Sequence, residues 1–372
     1  MRASRRRTSA VAVTAVAVTA VAVTLVVAAL ATVALVVTAP SFLVGGAAPA
    51  GTSRGQEVRV AVVTDIGGLN DKGFNSLSNV GLQRAKKELG VEGRVFITQT
   101  AADRLPNLTA AAQQGYNLII GVGFLMFDPL GKVAPQFPET KFAGVDVPYG
   151  FVVSQAKVKS IPNLRGLLFR ENEAGCLVGN IAALEAKRLP GPDIISAVGA
   201  NKVPAIVSFI AGYTFCAKRA NPAVKVLVNY ANDPTFADQA KCRATALSQI
   251  ARGSRVVFQV AGQCGLGALD AAKSKGVWGI GVDADQYFLG PHVLTSATKK
   301  VDVAVFDTIT DFKKNGAKFK GGFDKIFDVK NGGVGYGRLS TKLPAAVRAQ
   351  YKRSTDALAK LIASGKLKPP TQ

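Results

Sequence analysis

The residues best placed to do chemistry lie in Thr64-Asp65-Ile66-Gly67-Gly68-Leu69-Asn70-Asp71-Lys72-Gly73-Phe74-Asn75. An apolar run, Val58 to Val63, precedes this stretch, and an amphipathic segment, Ser76 to Leu89, follows it. The order is strand, polar glycine-rich turn, helix. In an open α/β sheet such a turn sits at the carboxyl edge of the strands, where ligands bind. Gly67 and Gly68 permit close backbone approach or positive φ. Asp65, Asp71 and Asn75 add donors and acceptors suited to a hydroxyl-rich ligand, and Phe74 offers a flat apolar face. An ordinary βα turn with an Asx cap has the same composition, so the turn alone leaves both readings open.

Enzyme chemistry finds little support. His292 is the only histidine, and no spaced Cys or carboxylate completes a metal or triad pattern around it. There is no G-x-x-x-x-G-K-[ST] and no G-x-S-x-G, and Gly121-Val-Gly-Phe124 is too short for a dinucleotide fingerprint. Asp283-Ala-Asp285 lacks the rest of a calcium loop. The expectation is a binding protein without cofactor or metal.

Asp65-Ile-Gly-Gly through Asp71-Lys-Gly-Phe74-Asn75 resembles the opening motif of the basic membrane protein family of substrate-binding proteins. That family includes the purine nucleoside receptor lipoproteins of bacterial ABC transporters. Further matches follow in order: Gly121-Val-Gly-Phe124 with Asp128, Phe169-Arg-Glu-Asn-Glu-Ala-Gly175, and Pro204 with Phe209-Ile-Ala-Gly-Tyr213. After them come Val260-Ala-Gly262 with Gly265-Leu-Gly267, Gly281-Val-Asp283-Ala-Asp285-Gln286, and Thr295-Ser-Ala-Thr-Lys299. Each piece is weak alone; the ordered set, spanning about residues 58 to 312, is specific.

The resemblance implies a two-lobed type I periplasmic-binding-protein-like α/β fold that closes around a purine nucleoside and delivers it to an ABC permease. The alternative is a receptor or sensor ectodomain for another small hydroxylated ligand, not coupled to transport. By resemblance, Phe74 and Phe209 sandwich the base, and Asp128 accepts from its edge with Asn75 nearby. Asp283, Lys299 and the backbone at Gly262 hold the ribose, with Asp65 assisting. Phe209 as a core residue, Asp283 as a cap and Lys299 as a solvated strand end are the plainer alternatives. At Gln263-Cys264 the chain departs from the small Gly-Thr pair usual in the family.

The elements that must position these residues follow a βα rhythm, which implies parallel sheets covered by helices. Strand candidates are Val58–Val63, Arg94–Thr98, Leu118–Gly121 and Lys141–Val145, with helices Ser76–Leu89, Arg104–Gln114 and Phe127–Phe137. Arg165–Arg170 reads as a connecting strand and Glu173–Lys187 as a helix. A second series has strands Ile194–Gly199, Val224–Asn229, Val256–Gln259 and Val277–Val282. Its helices are Ala205–Arg219, Ala237–Arg252 and Leu266–Lys275. By resemblance, Val293–Ala297 with helix Val301–Lys314 crosses back to the first lobe, and Phe323–Tyr336 returns to the second. Pro344–Ala363 is a terminal helix and Lys366–Gln372 a frayed tail. The expected division is 1–56 as signal or anchor and linker, 57–170 with about 290–318 as first lobe, 171–289 with about 319–340 as second lobe, and 341–372 as C-terminal helix and tail.

All four cysteines, Cys176, Cys216, Cys242 and Cys264, fall in the second series, and four cysteines allow three pairings. In the implied fold, with strand order 2-1-3, the first two helices lie on opposite faces. That argues against Cys216–Cys242 and favours Cys242–Cys264 near one carboxyl edge. Cys176, where the family often has an aromatic residue, is expected to be buried and free.

Hydrophobic residues make up 48% of the 372, enough to bury the cores of two domains. The formal net charge is +22, of which Arg2, Arg5, Arg6 and Arg7 supply four. The remaining Lys and Arg are scattered, with no aromatic-interleaved stripe, so they read as a solvated basic surface and not as a nucleic-acid site. From Ala10 to Ala39 there is no charge. A run of this length reads as a membrane-crossing helix, longer than the usual h-region of a signal peptide. Two expectations stand: a signal cut near Ala48-Pro49-Ala50, or an uncleaved anchor with its basic end inside. The segment has no Cys, which excludes lipid attachment at the place usual in the family. Either way the body is exported, to the cell surface, membrane-anchored or secreted. The expected partners are a nucleoside, the permease and, through the uncleaved segment, the membrane; no nucleic acid is expected, and the chain is expected to be a monomer.

Overall fold

The computed structural model describes residues 58–372. The apolar run, the cleavage position and the linker lie outside the described residues. Among the described residues, no helix is long and apolar enough to cross a membrane.

In the first lobe β1 (Arg59–Val63), α1 (Phe74–Leu89), β2 (Glu92–Phe96), α2 (Arg104–Gln113), β3 (Leu118–Val122), α3 (Phe127–Val133), β4 (Lys141–Val145), α4 (Tyr149–Ala156) and β5 (Leu164–Phe169) follow one another. Then α5 (Glu171–Arg188) opens the second lobe, which continues with β6 (Ile194–Gly199), α6 (Pro204–Ala220), β7 (Lys225–Tyr230) and α7 (Gln239–Ala251). It goes on through β8 (Val256–Val260), α8 (Gly265–Ser274), β9 (Trp278–Asp283) and β10 (Val293–Lys299). The chain ends with α9 (Val301–Asn315), β11 (Phe323–Phe327), β12 (Val334–Tyr336) and α10 (Ala345–Ala363).

Two six-stranded sheets result, ordered β11-β5-β4-β3-β1-β2 and β12-β10-β9-β8-β6-β7. Every pair is parallel except β10 with β12. Inner strands such as β3 and β8 are buried at every position, as unbroken apolar runs between two helical layers must be. The edge strand β2 alternates instead. In each sheet the strand order reverses beside β1 and β6, so the turns after those strands open at a switch point where a ligand has room.

Three expectations are corrected. First, β10 stays in the second sheet beside β9, and only α9 crosses, packing on α1 of the first lobe. Buried at all seven positions, β10 suits an inner place. The half-exposed β11 pairs with β5 at the edge of the first sheet, and only β12 returns to the second. Second, Cys176 is not free. It is bridged to Cys216, while Cys242 is bridged to Cys264. The first bridge fastens α5 to α6, which approach so closely that a Cβ at Gly175, Gly179 or Gly212 would run into the facing backbone. Third, the tail is docked: Pro369 is buried and its carbonyl accepts from Asn172 Nδ2 at 2.6 Å. The sequence reading also has no helix at α4, where Pro148 sets up the first turn and Val152 supplies the buried anchor.

Candidate ligand-binding cleft

Parallel strands deliver their carboxyl ends to one edge. Asp65 follows β1, Asp146 follows β4, Asp283 ends β9 and Lys299 ends β10, and all four line one cavity between the lobes. Its empty space, counted out to the mouth, is about 740 Å³. Asp146 (φ 60°) and Asp283 (φ 63°) are both left-handed, a conformation that costs non-glycine residues about 1–3 kcal/mol and concentrates at functional sites.

The turn after β1 is held by its own polar groups. Asp71 accepts from the backbone N–H groups of Gly73 (3.1 Å), Asn75 (2.6 Å) and Ser76 (3.1 Å), capping α1. Asn75 Oδ1 accepts from the Asp65 N–H at 3.1 Å, which ties the start of α1 to the end of β1. Phe74 and Asn75 are thereby fixed at the cavity wall. Asp65 Oδ1 accepts from the Ile66 N–H and from Arg104 Nε, both at 2.8 Å. Burial raises the pKa of Asp65, and the neighbouring Arg104 opposes that rise. Gly123 (φ 105°) has to be glycine: a Cβ there would stand 2.8 Å from Asp65 Oδ2.

Opposite this wall, Lys299 is 1% exposed. Its ammonium donates to Asp146 Oδ2 at 2.6 Å and Glu171 Oε1 at 3.1 Å. It also lies 5.0 Å from the Phe74 ring centroid and 5.8 Å from that of Phe209. Burial alone would lower the pKa of Lys299; Asp146, Glu171 and Asp283 together outweigh it and raise it. Three carboxylates thus face one ammonium. Burial pushes Asp283 up to about 7, with Asp146 and Asp71 adding to the rise and Lys299 resisting it. Glu171 is pushed up to about 7 by burial and Asp146, again against Lys299. Because Asp146 belongs to the first lobe and Lys299 to the second, this ion pair also joins the lobes. Gln286 Nε2 makes a second link, to the Lys72 carbonyl at 3.1 Å.

The structure brings Asp65, Phe74, Asn75, Phe209, Gly262, Asp283 and Lys299 to the one cavity. Asp128 is elsewhere. It sits in the first turn of α3, exposed, paired with Lys132 at 2.8 Å; the cavity wall is made by Phe124 and Leu125 before it. Phe209 is cavity wall and core at once, its ring 6.2 Å edge-on from Phe258. Lys299 is a buried ion-pair centre and not a solvated end. The departure at Gln263-Cys264 also has a structural basis. Cys264 is buried in its bridge, and Gln263 reaches across the cleft toward Gly67.

Residue reasoning missed Asp146, Glu171 and Arg104. Asp146 carried a signal, since it follows an apolar strand candidate as Asp65 does. Glu171 stood inside a motif but had no assigned role. Arg104 had no sequence signal, because its partner is 39 residues away.

A family model described as ABC transporter substrate-binding protein PnrA-like matches residues 58–368. The chain is 33% identical over 338 residues to the ABC transporter nucleoside-binding protein BmpA of Lactococcus lactis subsp. cremoris, covering 85% of this chain and 90% of that one. It is 36% identical over 308 residues to an uncharacterised lipoprotein of Pyrococcus furiosus, covering 80% and 74%. A crystal structure of an ABC transporter solute-binding protein from Aeropyrum pernix K1 superposes with a TM-score of 0.73 at 29% identity, covering 85% of this chain and 94% of that one. The two sheets and the cleft between them are the type I periplasmic-binding-protein arrangement. With the polar turn, the paired lobes and the buried Lys299 cluster in one cleft, the chain belongs to the basic membrane protein, PnrA-like family of ABC transporter substrate-binding proteins, exported solute receptors and not enzymes.

Proposed function

We propose that this cleft closes around a purine nucleoside and that the loaded protein hands it to an ABC permease. The observation that carries the reading is one cavity holding two phenyl faces, Phe74 and Phe209, together with Asp283. Among the described residues, no side chain hydrogen-bonds to the Asp283 carboxylate. A base stacks on the rings, a contact worth about 1–3 kcal/mol in nucleic-acid sites. The ribose hydroxyls donate to Asp283, and the third N–H of Lys299 and the backbone at Gly262 complete that end. Asp65 and Asn75 take the polar edge of the base, the role expected of Asp128 by resemblance. The name of the Lactococcus relative supports a nucleoside as the ligand.

Calorimetric titration of wild type, Phe74→Ala and Asp283→Asn with adenosine, guanosine and adenine tests this. Phe74→Ala should weaken all three by about tenfold to a hundredfold or more, since every purine has a π face. Asp283→Asn should weaken the nucleosides far more than adenine, which has no ribose. If wild type binds none of them while a sugar or an amino acid binds well, the nucleoside reading fails.

A further inference from the structure

Arg104 opens α2 and is 8% exposed, yet it does not line the cavity. Its Nε donates to Asp65 Oδ1 at 2.8 Å, and its Nη2 lies 2.7 Å from the same oxygen. The Ile66 N–H takes up more of that oxygen. The other oxygen, Oδ2, has no partner among the described residues and lies against Gly123 at the cavity wall. Next to it Asn75 spends its Oδ1 on the Asp65 N–H, while its Nδ2 makes only a long contact of 3.4 Å to the Ile66 carbonyl. One face of the cleft therefore offers a free acceptor beside a nearly free donor.

We propose that Arg104 is a positioning residue of the cleft: by occupying one oxygen of Asp65 it presents the other as an ionised acceptor, so this wall selects a ligand that turns an N–H donor toward it. The inference rests on the nucleoside reading for the identity of that ligand. A purine edge supplies a donor next to an acceptor, which complements Asp65 Oδ2 beside Asn75 Nδ2. A hydrogen bond to a charged acceptor is worth about 1.5–3 kcal/mol, more than one to a neutral carboxyl, which also brings a competing donor. Without Arg104, burial would favour the neutral form. The other charged groups facing this cavity are Asp71 in the same turn, Asp146 of the same lobe, and Asp283 and Lys299 of the second lobe. Glu171 lies behind Lys299.

The test uses the full chain, in detergent, as wild type, Arg104→Met and Arg104→Lys, at about pH 6 and about pH 8. Infrared difference spectra of ligand-free protein follow the carbonyl band of protonated Asp65, assigned by its loss when Asp65→Asn is added to Arg104→Met. Guanosine and adenosine affinities are measured in parallel by calorimetry. We expect the band at about pH 6 in Arg104→Met only, and a loss of nucleoside affinity of about tenfold or more there. That loss should shrink at about pH 8 in Arg104→Met and be largely repaired by Arg104→Lys, which a merely structural arginine would not produce. No protonated band in Arg104→Met, or an affinity loss equal at both pH values and in both variants, overturns the proposal. If wild type binds neither nucleoside, the nucleoside reading fails. The ligand-free spectra still decide whether Arg104 sets the charge of Asp65.

Discussion

Replacing Lys299 by Met removes the cation that both lobes share while keeping much of its apolar stem. In wild type the ammonium is almost wholly buried, 2.6 Å from Asp146 and 3.1 Å from Glu171, with Asp283 facing it. The variant leaves three carboxyls at the buried end of the cleft with no counter-charge. Removing one partner of a buried ion pair costs about 3–5 kcal/mol, a large part of the ~5–15 kcal/mol that holds a domain folded. The cost depends on pH, and its sign follows from proton uptake. Asp283 and Glu171 already sit at about 7 in the presence of Lys299, well above their unfolded values. The folded protein therefore binds protons that the unfolded chain has released, and these two groups make stability fall as pH rises from about 4 to about 7. Without Lys299 they hold protons more tightly, so the variant binds at least one more proton than wild type near neutrality. One extra proton changes the difference by about 1.4 kcal/mol per pH unit. The cost of the substitution should thus shrink by about 2–3 kcal/mol between about pH 8 and about pH 6. Urea unfolding followed by the fluorescence of Trp278, the only tryptophan, measures it. A loss below about 1 kcal/mol at about pH 8, or one that does not change with pH, would refute this account of the cluster.

Two further outcomes are expected. Gly212→Ala should destabilise by about 1–3 kcal/mol in urea unfolding, because its methyl meets the Asn172 backbone across the α5–α6 contact; an unchanged midpoint would show that the helices separate easily. Peptide mapping without reductant should recover Cys176 with Cys216 and Cys242 with Cys264, and reduction should cost about 2–4 kcal/mol per bridge. Recovery of free Cys176 would exclude the first bridge.

Much of the architecture was legible because it follows from local pattern. Unbroken apolar runs such as Leu118–Val122 and Val256–Val260 can be buried on both faces only as inner parallel strands, and the helices between them set the lobes. The turn from Thr64 to Asn75 was legible for the same reason: directly after a strand, three glycines, a capping acid and a helix start lie within twelve residues. Long-range partners were not legible. β10 lies inside the second sheet beside β9 and β11 at the edge of the first beside β5, and no feature of either strand names its neighbour. Asp128 opens an expected helix and Asp146 follows a strand candidate, and neither position along the chain names its partner. One falls on the outer side of α3 and pairs with Lys132; the other follows a strand end and meets Lys299, 153 residues away. The sequence by itself determined that carboxylates and aromatic faces would gather at strand ends. Tertiary structure decided which ones share a cavity, which oxygens are already taken, and that Lys299 and Arg104 set the charge of that cavity, since electrostatic coupling depends on distance and burial and not on order along the chain.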